Sequence, residues 1–182
     1  SMIFKSTELE GLYIIELTPM IDERGWFARI YCEKEFEKIG FKEELVQINH
    51  SFTSKKGTLR GMHYQLPPHS EANLIRCISG AVYDLALDLR KDSPTFLEWF
   101  GVELSAENKK MILIPEGFAH GFQTLNDDSE LIYHHTEFYT PASEGAVRYD
   151  DPRVNIQWPL EILNVSENDS KRPYLTADFK GI

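Results

Sequence analysis

Arg60 and His63 stand close together in Gly57-Thr58-Leu59-Arg60-Gly61-Met62-His63-Tyr64-Gln65, a run whose alternation predicts a β-strand. In period two, Leu59, Gly61, His63 and Gln65 share one face, while Thr58, Arg60, Met62 and Tyr64 share the other. A face made of a glycine, a histidine and a glutamine predicts a pocket wall rather than ordinary core. A histidine side chain titrates near neutral pH, so it can take a proton in the cell, and a tyrosine can supply one. A carboxylate behind the imidazole would fix its tautomer, and Asp84, Asp88 and Asp169 are the candidates. Strict alternation sets Arg60 opposite His63. Both reach one ligand only if Gly61 admits a bulge or the pocket is lined at a rim; otherwise Arg60 makes a surface ion pair.

The neighbouring runs supply the rest of such a wall. In Glu130–Tyr139, the side chains of Leu131, Tyr133, His135, Glu137 and Tyr139 fall on one side. Gln47 and Asn49 fall together opposite Val46 and Ile48, and His120 lies with Phe118 and Phe122. If these faces converge, they predict a small-molecule cavity holding His63, His120, Tyr133, Gln47 and Asn49. A metal centre is less well supported, because His63-Tyr64-Gln65 lacks the second histidine of an H-x-H pair. His63, His120 and His134 or His135 could be assembled into a ligand set, but no spacing demands it. No G-x-S-x-G elbow, activated cysteine or Gly-rich phosphate loop is present. Proton transfer is the chemistry these residues fit best.

The elements that position them are short and mostly β. Strands are predicted near Gly11–Leu17, Trp26–Tyr31, Leu45–Phe52, Thr58–Gln65, Asn73–Ile78 and Ala81–Leu89. Others follow near Trp99–Leu104, Met111–Ile114, Ala119–Thr124, Glu130–Tyr139 and Ala146–Tyr149. Lys34–Ile39 is the one helix, with Gly40 as its stop, and the polar segment after Pro159 predicts a short final helix or a lid. Ser79-Gly80 and Asn126-Asp127-Asp128-Ser129 read as turns. Many strands and almost no helix predict a single all-β domain, a sandwich or barrel. The chain has 182 residues, 42% of them hydrophobic, and a net charge of −10. That charge argues against a nucleic-acid or anionic-membrane surface. Two cysteines without a CxxC suggest neither a disulfide framework nor a zinc knuckle. The opening residues carry no charged-then-apolar leader, and no apolar run approaches a membrane span, so the expected setting is the cytoplasm.

Five motifs taken together resemble the dTDP-4-dehydrorhamnose 3,5-epimerases. They are Asp22-Glu23-Arg24-Gly25, Gln47-Ile48-Asn49-His50, Leu59 to Gln65, Asp88-Leu89-Arg90-Lys91-Asp92-Ser93-Pro94-Thr95, and Ile114-Pro115-Glu116-Gly117-Phe118-Ala119-His120-Gly121-Phe122. The resemblance runs from about Gly11 to Asp169 and implies a cupin-type jelly-roll β-barrel acting on a nucleotide-linked keto sugar. By that resemblance His63 is the base, Asp169 its partner and Tyr133 the acid on the opposite sugar face. Arg24 and Arg60 match diphosphate contacts, and Tyr139 matches the residue that stacks on the base. Phe27, Gln47, Asn49, Asn73, His120 and Glu144 match other ligand-contacting positions. The resemblance also implies no metal or cofactor, and a homodimer in which an N-terminal strand joins the neighbour's sheet.

Three positions depart from the family pattern: Asn73 where a lysine is usual, Arg29 where a glutamate is common, and Asn168 where a lysine is common. An amide can donate a hydrogen bond but brings no charge. The expectation from Asn73 is therefore a slow reaction, one limited to C3, a redirected keto-isomerisation, or a sugar-nucleotide binding protein with impaired catalysis.

Overall fold

The computed structural model describes residues 1–182. In chain order the strands are β1 (Met2–Ser6), β2 (Tyr13–Leu17), β3 (Met20–Asp22), β4 (Gly25–Phe27), β5 (Gln47–Thr53), β6 (Thr58–Gln65) and β7 (Asn73–Ser79). There follow β8 (Ala81–Asp88), β9 (Trp99–Ser105), β10 (Lys110–Ile114), β11 (Phe118–Thr124), β12 (Ser129–His135), β13 (Glu144–Ala146) and β14 (Asn164–Val165). Two short helices, α1 (Glu33–Glu37) and α2 (Glu167–Ser170), complete the fold. No helix is long and apolar enough to cross a membrane.

Apart from the separate β3–β4 hairpin, the strands form two facing, largely antiparallel sheets in the cupin-type jelly roll that the resemblance implies. One sheet runs β1-β2-β10-β7-β12-β5 and the other β13-β6-β11-β8-β9, with β14 laid parallel beside β6. Between them lies a core that includes Leu12, Ile75, Val82, Leu104, Ile112 and Leu131. The outer face of the first sheet is covered by α1, whose Phe36 is fully buried among Phe4, Tyr31 and Phe41. A five-residue helix has no independent stability, so that aromatic cluster holds it in place.

Several elements differ from the sequence reading. The run Trp26–Tyr31 is strand only as far as Phe27, where it closes the β3–β4 hairpin; Ala28, Ile30 and Tyr31 instead pack under α1. β12 ends at His135, and the strand expected at 146–149 lies earlier, at β13. β1 is not among the strands that periodicity predicts, although the resemblance implies an N-terminal strand; within the chain it pairs with β2 in full register, Met2 opposite Leu17.

Candidate active site

The site is organised by an irregularity in β6. His120 on β11 pairs with His63 while Phe122 pairs with Arg60, so β6 carries one more residue than its partner over this stretch. That one-residue bulge reverses the alternation and brings Arg60 to the same inward side as His63, with Met62 buried on the other. Gly61 sits at the bulge with φ of +130°, a conformation that side chains with a Cβ rarely adopt. The opposite edge of β6 is served in turn by β13, by Val147 and by β14, beyond which α2 begins.

α2 exists to place one carboxylate. Ser166 caps the helix, its Oγ accepting from the Asp169 backbone N–H at 3.1 Å. Asp169 then accepts from the Gly61 backbone N–H at 3.1 Å through one oxygen and from His63 Nε2 at 2.7 Å through the other. Burial alone would raise its pKa, but the hydrogen bond and charge of His63 and the Gly61 N–H hold it below the usual carboxylate value. A carboxylate that stays ionised accepts the Nε2 proton, which leaves Nδ1 as the unprotonated nitrogen. The imidazole is 41% exposed and the carboxylate behind it only 6%. The imidazole lines the cavity and the charge stays behind it.

His63, Arg60, Asn49, His50, Ser51, His120, Phe122, Tyr133 and His135 line one cavity of about 310 Å³. Arg60 and His63 also line an adjoining groove of about 400 Å³ that includes Glu144, Asn168, Asp169 and Arg172. Larger clefts of about 460 and 690 Å³ lie elsewhere and hold no histidine, so volume is not what marks the site. The Tyr133 hydroxyl is 2.8 Å from Ser51 Oγ. Burial pushes the phenol up to about 12, partly offset by that hydrogen bond. Tyr133 is thus protonated at cell pH, available as a donor. His120 Nε2 contacts both Asp84 oxygens at 2.9 Å, and burial raises the Asp84 carboxyl against the opposing pull of His120.

The three candidate aspartates therefore separate. Asp169 serves His63, Asp84 serves His120, and Asp88 braces a loop through Arg90, Ser93 and Thr95. The histidines do not pool as ligands, since His63, His120 and His135 each face their own carboxylate and His134 turns to the Leu74 carbonyl. No cluster of three or more His, Cys, Asp or Glu side chains is arranged to hold a metal ion.

Some expected residues lie elsewhere. Gln47 is not in the lumen; it accepts from the Tyr139 backbone N–H at 3.1 Å, and Tyr139 itself is exposed. Asn73 turns its amide to Glu71 Oε1 at 3.3 Å rather than into the cavity. Arg24 and Phe27 sit on the β3–β4 hairpin, outside the cavity lining, with Phe27 71% exposed. Ser51 and Arg172 were missed. Ser51 continues the Gln47–Asn49 face by one more step of period two, which would have found it; nothing in the sequence marks Arg172.

Comparison with known proteins identifies the family. A family model described as dTDP-4-dehydrorhamnose 3,5-epimerase matches residues 6–177. The dTDP-4-dehydrorhamnose 3,5-epimerase of Shigella flexneri is 45% identical over 175 residues, covering 95% of this chain and 96% of that one. Among solved structures, the dTDP-4-dehydrorhamnose 3,5-epimerase of Bacillus anthracis with TDP and PPi bound gives a TM-score of 0.93 at 37% identity, covering 96% of this chain and 100% of its own. The dTDP-6-deoxy-D-glucose-3,5-epimerase of Legionella pneumophila in complex with dTDP-4-keto-L-rhamnose gives 0.88 at 41% identity, covering 93% and 90%. Shared sequence and shared fold both extend over almost the entire length, and the chain belongs to the dTDP-4-dehydrorhamnose 3,5-epimerase family.

Proposed function

We propose that this chain is an isomerase that inverts C3 and C5 of dTDP-4-dehydro-6-deoxy-D-glucose, giving dTDP-4-dehydro-L-rhamnose. The observation that carries the reading is the presence of an Asp-backed imidazole and a protonated phenol in the wall of one cavity. The C4 ketone acidifies the hydrogens on C3 and C5, because the electrons left behind delocalise into an enolate. His63 Nδ1 takes the proton from one face, and the Tyr133 hydroxyl returns one from the other. Arg60, whose Nη2 donates to the Phe52 carbonyl at 3.0 Å, stands between cavity and groove and serves the diphosphate. The sugar occupies the cavity, and the adjoining groove with Glu144, Asn168 and Arg172 takes the nucleotide side. No step calls for a cofactor.

Incubation with dTDP-4-dehydro-6-deoxy-D-glucose in heavy water tests the reading. Proton NMR should show loss of the C3 and C5 signals together with L-rhamno product; folded protein that exchanges neither carbon would refute it. Tyr133→Phe separates the two half-reactions. It should retain deuterium exchange, since His63 can remove and return a proton on its own face, while inversion falls about 100-fold or more. Equal loss of both would remove Tyr133 from the acid role.

The working unit we propose is a homodimer. The β3–β4 hairpin exposes Met20, Ile21, Trp26 and Phe27, and it carries Arg24. A second copy covering this apolar hairpin would receive Arg24 and Phe27 at its ligand groove. Two unpaired cysteines, one buried and one half-buried, suit a reducing cytoplasm.

A further inference from the structure

A third imidazole–carboxylate pair belongs to the same cavity, and the proton transfers above do not use it. His135 Nδ1 lies 3.1 Å from Glu71 Oε2, and its Nε2 lies 3.2 Å from Asn49 Nδ2. Its ring stacks on Tyr133 with centroids 6.1 Å apart and planes at 20°. Across the sheet His135 pairs with Asn73, whose amide donates to the other Glu71 oxygen while its own Oδ1 is buried without a partner. Position 73 thus sends no donor into the cavity. His135 is also the only basic side chain paired with Glu71.

We propose that His135 is the electrophilic group of this chain, stabilising the oxygen of the enolate; the inference rests on the function proposed above. When His63 takes the proton from C3, the C–H electrons form the C3=C4 double bond and the carbonyl pair moves onto the C4 oxygen. Protonated His135, with Glu71 as its counter-charge, presents Nε2–H toward that oxygen. The Asn49 amide donates to Nε2 at 3.2 Å while that nitrogen carries no proton; protonation of Nε2 ends this hydrogen bond and leaves both N–H groups to converge on a single oxygen. When the enolate collapses, the Tyr133 proton goes to carbon, and solvent re-protonates Tyr133 and accepts the proton held by His63. The C5 cycle repeats the same steps. His135 supplies here the positive charge that an uncharged amide at position 73 cannot.

The test uses His135→Gln, which keeps a hydrogen-bonding side chain but removes the charge. Exchange at C3 and C5 should slow by about 100- to 1000-fold, the usual cost of losing one oxyanion donor. KM and the affinity for dTDP should stay within about threefold, because the interaction strengthens only as charge develops on the oxygen. Adding Asn73→Lys to that variant places an ammonium beside the vacated position and should recover at least about tenfold. Glu71→Gln, which leaves His135 in place, is measured alongside it in case His135→Gln fails to fold, and should lose about tenfold or more. Exchange within threefold of the parent protein in either folded variant overturns the proposal. So does a loss matched by lost dTDP binding, or a double variant that binds dTDP and is no faster than the single. If the parent protein itself exchanges nothing, the proposed function fails, and that result is distinct from a failure of His135.

Discussion

His63→Asn should lower deuterium exchange at both C3 and C5 by about 1000-fold or more while leaving dTDP binding near its parent value. The base acts through one nitrogen, and Asp169 determines which. Because Asp169 is held ionised by its contacts with His63 and the Gly61 N–H, it accepts the Nε2 proton and leaves Nδ1 free. Asp169→Asn is therefore expected to cost a similar order of magnitude, although His63 itself is untouched. An asparagine amide donating to Nε2 moves the proton to Nδ1 and removes the lone pair that must attack the C–H bond. Asp169→Ala imposes no tautomer and should be the milder of the two. NMR exchange rates on all three, with dTDP affinity by calorimetry, decide the matter. Asp169→Ala slower than Asp169→Asn would mean that orientation rather than tautomer is what the carboxylate supplies.

How much of this was legible in the sequence depends on the range over which each residue acts. His63, Tyr133 and Asn49 lie on strands whose alternation sets their direction, so period two alone turned them toward one cavity. Arg60 could not be placed the same way. Its orientation depends on a bulge defined by pairing with β11, and Gly61 is only a local hint of that. Asp169 stood among three candidate aspartates because its partnership with His63 spans 106 residues and runs through α2, too short a helix to show a period. Gln47 was misplaced for the opposite reason. It begins β5, where its side chain serves the Tyr139 backbone instead of the lumen. Trp26–Tyr31 is rich in the aromatic and β-branched residues of a strand, but beyond Phe27 the apolar residues are satisfied by packing beneath Phe36, so no ladder is needed. Periodicity does not reveal β1, which enters only through the resemblance, because five residues at the start of the sequence carry little pattern until Met2 and Phe4 find the cluster under α1.

Gly61→Ala should cost more stability than its small change in volume suggests. A Cβ built on Gly61 would lie 2.6 Å from the Gly121 Cα and 2.9 Å from the His120 carbonyl oxygen, both backbone atoms that cannot rotate aside. The backbone there has φ of +130°, so the new side chain is strained even before the clash. Strain and overpacking together are worth roughly 2–6 kcal/mol, against a total stability of about 5–15 kcal/mol. At about 2–4 °C per kcal/mol for a chain of this length, Tm should fall by on the order of 10 °C. The relevant comparison is Gly40→Ala, just beyond α1, where φ is +84° and no atom lies within 4 Å of the added carbon. That variant bears a backbone penalty without the collision, and should lose only about 1 kcal/mol. Relief of the Gly61 clash by relaxing the bulge would turn Arg60 away from the side of His63, so the folded fraction of Gly61→Ala should also be catalytically poor. Melting curves and exchange rates on the pair measure both effects. Equal Tm losses would show that close packing of β6 on β11 is not what demands glycine at position 61.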